Sequence, residues 1–151
     1  FHNKGTAAEA FGYLVRSGYD QSQIVVVMTQ ETYRMYYQGK TNLFENGDGG
    51  ADRQLIKYLN RPGAVRNLAS AGLIVSGPFT MDPLLNNTLE DGRELLAATG
   101  IEPDSAIIYE PELRAGAVLI GVQPKGLTDR YTIGNRWRKS EGELILGDQD
   151  F

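Results

Sequence analysis

Apolar positions along the chain fall into two rhythms, one of helical period and one of unbroken β-branched runs. Ala7, Ala10, Phe11, Leu14 and Val15 recur at helical spacing, and Gly18 follows them as a left-handed stop. Thr6 and Glu9 read as a capping box, the hydroxyl taking one orphan N–H while the carboxylate reaches back to another. Residues 24–28 are continuously apolar, as suits a strand covered on both faces. Phe1 reads as the last residue of a preceding strand. Helix and strand then make a β-α-β unit or half of a split one.

Further along, a short helix is predicted over 31–38 and a polar loop over 41–52. A helix capped by Asp52 follows, with Leu55, Ile56 and Leu59 on its apolar side and Pro62-Gly63 at its end. Val65, Leu68 and Ala69 read as one more turn. Leu73, Ile74 and Val75 form a strand that Gly77-Pro78 stops. Asp82-Pro83 opens a helix that Gly100 ends. The next helix, 105–110, turns Ile107 and Ile108 inward and is broken or kinked at Pro111, which has no N–H to donate. Residues 117–122 are another buried strand. After Lys125 two alternatives stand: a hairpin of 131–133 with 144–146, or an arm that packs on a neighbour.

Composition narrows the chemistry more than it suggests any. The chain has 151 residues, enough for one domain that buries roughly 70% of its unfolded surface. A net charge of −4 gives no reason to expect general nucleic-acid binding. With no cysteine and one histidine, His2, thiolate sites are excluded, and a His-based metal site or Ser-His-Asp triad has almost no material. The longest uncharged run, 67–81, is shorter than the about 20 apolar residues a membrane helix needs. Gly72 and Gly77 do not make a phosphate loop, since Gly72 precedes its strand and no Lys stands nearby. The 46–52 loop hints at a calcium site, but its twelfth position is Lys57 instead of Glu.

Two blocks of residues carry a resemblance. The first runs from Phe1 through Ala7, Ala10, Leu14, Gly18 and Tyr19 to Val27. The second is Gly72 to Pro78, then Gly100-Ile101-Glu102-Pro103 with Ala106, Tyr109 and Glu110, then Gly116, Leu119 and Val122. Over 1–29 and 70–122 this resembles the bacterial general stress protein 17M / low-temperature-induced protein family. The resemblance implies a ferredoxin-like α/β sandwich of two β-α-β halves, a link to stress or cold, and no established catalytic residue. The family's long apolar insert between the halves is replaced here by a polar, tyrosine-rich 30–69. Membrane contact therefore does not carry over.

The expected protein is an α+β, ferredoxin-like domain over 1–124, with a helical insertion at 30–69 and an extension at 125–151. Its expected role is non-enzymatic and cytoplasmic: a soluble, stress-associated module, without cofactor, that associates with itself or docks on a larger assembly. Candidate contact residues are Tyr33, Tyr36, Tyr37 and Phe44 in the insertion, and Tyr131, Arg136, Trp137 and Arg138 in the tail. The tyrosines equally suit a cover over the sheet edge. A second possibility is a small-molecule site or enzyme in the cleft between halves, drawing on Asp48, Asp52, Tyr109, Glu110 and Arg114. A third is single-stranded nucleic acid stacked on the basic, aromatic tail.

Overall fold

The computed structural model describes residues 1–40, 50–69, 71–78, 92–99, 101–143 and 145. It is an α+β structure: a four-stranded antiparallel sheet with helices against both faces. Helix α1 (Lys4–Arg16) leads through a short 3₁₀ turn to β1 (Val25–Thr29), then α2 (Gln30–Tyr36) and α3 (Gly50–Leu59). The hairpin β2 (Val65–Leu68) and β3 (Leu73–Ser76) follows, then α4 (Gly92–Ala98), α5 (Pro103–Arg114), β4 (Leu119–Gly121) and α6 (Leu127–Lys139).

Helix α1 starts earlier than its capping box suggests. Asn3 is the cap: its side-chain Oδ1 accepts from the N–H groups of Gly5 at 2.8 Å and Thr6 at 3.3 Å. Asn serves this role as well as any residue, so Thr6 falls inside the first turn and bonds back to the Asn3 carbonyl. Gly18 ends the helix at φ +98°, as its position predicts. The Ala7, Ala8, Ala10, Phe11 and Leu14 side of α1 is wholly buried. Alanines there let α1 lie close to the sheet and α3, where Phe11 stacks on Tyr58 with centroids 5.5 Å apart.

Strand order is β2-β3-β1-β4, every pairing antiparallel. β1 is central in both senses. Val26 and Met28 enter the cluster under α1 and α3, while Val27 enters the one under α4 and α5. Burial on both faces is what its unbroken apolar run predicts. The segment read as a turn at 65–69 is instead β2, with Leu68 opposite Leu73. Alternation over four residues containing Arg66 and Asn67 is too short to declare a strand, and pairing with β3 supplies what propensity does not.

Three other expectations are corrected. α5 continues through Pro111 to Arg114. The proline frees the Ile107 carbonyl, but that carbonyl lies on an exposed side of the helix where water can take its place. Ile107 and Ile108 point outward at 53% and 52% exposure, and Ala106, Tyr109 and Leu113 face the sheet. The 131–133 segment is part of α6, which removes the hairpin alternative for the tail; of its other half, 144 and 146 lie outside the described residues. Asp129 in its first turn and Arg136, Arg138 and Lys139 in its last complement the helix dipole. The start of the 82–100 helix lies outside the described residues.

Candidate functional site

β4 is the last strand on its side of the sheet, and a cavity of about 370 Å³ runs along its outer edge. α5 supplies Tyr109 and Leu113 to one wall, with Ile101 just before that helix. α6 supplies Ile133, Gly134 and Trp137 to the other. The floor is the edge of β4, and Phe1 closes one end. α6 is held in position by the 19/129 corner: the Tyr19 hydroxyl donates to Asp129 Oδ2 at 2.9 Å and accepts from the Lys125 N–H at 3.1 Å.

Polar groups gather at the mouth. His2 Nε2 lies 2.6 Å from Glu112 Oε2 and 3.8 Å from Glu143 Oε2. One ring nitrogen and two carboxylates within 4.8 Å of one another are the donor types a divalent cation uses. All three residues are substantially open to solvent, so an ordinary solvated ion-pair cluster accounts for them equally well. His2 and Glu112 stand 110 positions apart, and only the fold brings them together. Within the cavity wall, burial pushes the Tyr109 phenol up to about 12. The hydroxyl therefore stays protonated at neutral pH and is no base.

The residues singled out as contact candidates do not converge. Tyr37 is fully buried in the core, so it is packing and not contact surface. Tyr33 is half-buried, its hydroxyl donating to the Leu59 carbonyl at 3.3 Å. Tyr36 is 40% exposed, with the Lys4 ammonium 5.0 Å from its ring centre. Phe44 lies outside the described residues, as do Asp48 and the side chain of Asp52.

In the tail, Trp137 turns inward to meet Phe1 edge-on at 6.1 Å. Arg136 rests over the Tyr13 ring at 5.4 Å, and Arg138 donates to Asn135 Oδ1 at 2.6 Å. Tyr131 stays 45% exposed. Of the cleft candidates among the described residues, Tyr109 alone lines the cavity. Glu110 turns toward α4, 3.7 Å from Arg93, and Arg114 donates to the Ala71 carbonyl at 2.7 Å. Arg114 thereby braces the β2–β3 turn.

No family model, characterised protein or solved structure matches this chain. Among the described residues no helix is long and apolar enough to cross a membrane.

Proposed function

We propose that the chain is a non-enzymatic α+β module that works by self-association, with a link to bacterial stress or cold response drawn from the family resemblance and a cytoplasmic setting that the lack of cysteine suits. The carrying observation is the outer side of α5. Ile107, Ile108 and Pro111 lie together on it, all three exposed, with the charged Asp104 one turn before them. A helix that buries one apolar side and shows a second is incompletely covered by its own domain. A second copy meeting the same stripe across a two-fold axis is the simplest cover.

Light scattering across a concentration series tests this. The parent chain should reach the dimer mass, and Ile107→Lys with Ile108→Lys should hold it at the monomer mass. Because both positions are exposed, stability should stay within about 0.5 kcal/mol of the parent. A parent that is monomeric throughout defeats the proposal.

The ferredoxin-like arrangement is part of the same proposal, supported by an antiparallel sheet of four strands with helices packed on it. A second function rests on the cavity, whose volume falls in the small-molecule range of about 300–1,000 Å³. Reproducible thermal stabilisation by a member of a metabolite and metal panel would favour it.

A further inference from the structure

We propose that a basic groove at the end of α3 binds the linear phosphate chain of a small ligand, a di- or triphosphate. The groove holds about 670 Å³ and lies between α3 and the turn that follows α2. Lys40, Arg53, Lys57 and Arg61 bring four cations to it, and among the described residues no carboxylate lines it. The chain as a whole carries a net charge of −4, so this local excess of positive charge runs against its composition.

Two separate segments build the groove. Arg53 and Lys57 stand four positions apart on α3, on one side of the helix and about 6 Å apart along its axis. Arg61 comes just after the helix ends. Like charges at that spacing weaken a helix, although the dipole favours a cation near its end. The dipole accounts for Lys57 and Arg61 but not for Lys40, which arrives from the other segment. Asn60 brings it there. The Asn60 amide donates to the Tyr37 and Ile56 carbonyls, each at 2.8 Å, and its Oδ1 accepts from the Gly39 N–H at 2.9 Å. Gly39 takes the left-handed conformation that this turn requires, at φ +71°, and the Lys40 N–H closes back on the Tyr37 carbonyl at 3.1 Å. Tyr37 itself is fully buried, so the base of Lys40 is anchored in the core.

Among the described residues Lys40, Lys57 and Arg61 make no ion pair. Arg61 and Asp20 influence each other, but the Asp20 carboxylate is held by the Ser22 N–H at 2.9 Å and hydroxyl at 2.7 Å. Arg53 has a contact of its own, and the site rests on the other three. One exposed ion pair contributes little, which argues against a lone phosphate as the occupant. A phosphate chain meets several cations at once, Arg61 as a planar fork and the lysines as point charges.

Isothermal titration calorimetry at low salt, with metal-free tripolyphosphate, orthophosphate and ATP, tests this. Tripolyphosphate should bind about tenfold or more tightly than orthophosphate, and its affinity should fall as salt is added. Tighter binding of ATP assigns the groove to a nucleotide, and equal binding assigns it to the phosphate chain alone; either supports the proposal. Lys57→Gln with Arg61→Gln should weaken tripolyphosphate by about tenfold or more, and Lys57→Arg should preserve it. Both positions are exposed, so the midpoint in urea should stay with the parent's, which separates a lost site from a lost fold. Undiminished binding by the double variant overturns the proposal. So does absence of binding by the parent chain, the result to be expected should Glu45 or Asp48 of the preceding loop neutralise the groove. Tighter binding of a thymidine oligonucleotide than of tripolyphosphate overturns it in favour of a nucleic-acid backbone. The α5 stripe lies on the other face of the sheet, so this proposal and the self-association reading fail separately.

Discussion

The two faces of the sheet are buried by different means. Beneath α1 and α3 lie Phe11, Tyr58, Tyr37, Leu14 and Met28, with aromatic rings filling the space between helix and strand. Beneath α4 and α5 the filling is aliphatic, Leu95, Leu96, Leu113 and Val75, with Tyr109 the one described aromatic residue. The first face is covered by a 13-residue helix, α1, whose exposed side is polar or lightly apolar. The second is covered by α5, which keeps two isoleucines in water. Neither face is wholly finished by its own chain, since α2 and α6, which pack on the first, keep Met35, Tyr36, Leu127 and Tyr131 exposed.

The largest effect expected from this contrast is at Phe11. Phe11→Ala should cost about 3–5 kcal/mol in urea unfolding, because it removes both apolar area and the partner of Tyr58. Leu96→Ala on the opposite face should cost less, about 2–3 kcal/mol, since a smaller group leaves a smaller cavity. Equal costs would break the contrast between an aromatic and an aliphatic face.

Gly77 follows the strand shared by both faces, at φ +99°, and an added Cβ would collide with the Ile24 carbonyl. Gly77→Ala should therefore cost more than about 1 kcal/mol although it adds apolar surface. No loss of midpoint in urea would show that the backbone there can shift.

The smallest effect sharpens the aliphatic face through pH. Tyr109 is raised from its ordinary 10.0 to about 12 by burial. The folded state then holds the phenolic proton more tightly than the unfolded chain. That contribution is whole below pH 10 and is lost as pH rises toward 12. Tyr109→Phe should flatten the fall in stability over this window, measured against the parent in parallel urea titrations. An unchanged slope would mean that another group titrates there.

Local signals were legible wherever one residue type has one physical use. Gly18 as a helix stop, the β1 run, Pro103 at the first turn of α5 and the strand inside 72–78 all stand as their chemistry predicts. Signals failed where two answers were locally equal. α5 carries two apolar stripes, and hydrophobicity alone favours the isoleucines over Ala106, Tyr109 and Leu113. The sheet chose the other stripe, because a small residue at 106 lets the helix approach. In α6 the ordering of Asp129 before Arg136, Arg138 and Lys139 was the available helix signal, outweighed by β-favouring Tyr131, Thr132 and Ile133. The candidate site was barely legible: His2, Glu112, Ile120 and Trp137 share no motif.

By itself, the sequence determined which segments are helical or extended over most of the chain, the absence of thiol chemistry, and the limits on catalysis. Those follow from periodicity, turn residues and inventory, which are properties of neighbours along the chain. Tertiary structure decided the order β2-β3-β1-β4, the side of α5 that is buried, the inward turn of Trp137 and the open edge of β4. Each depends on which distant backbone satisfies a strand's hydrogen bonds and on which helix face packs closest. Those competitions are settled only when the whole core closes.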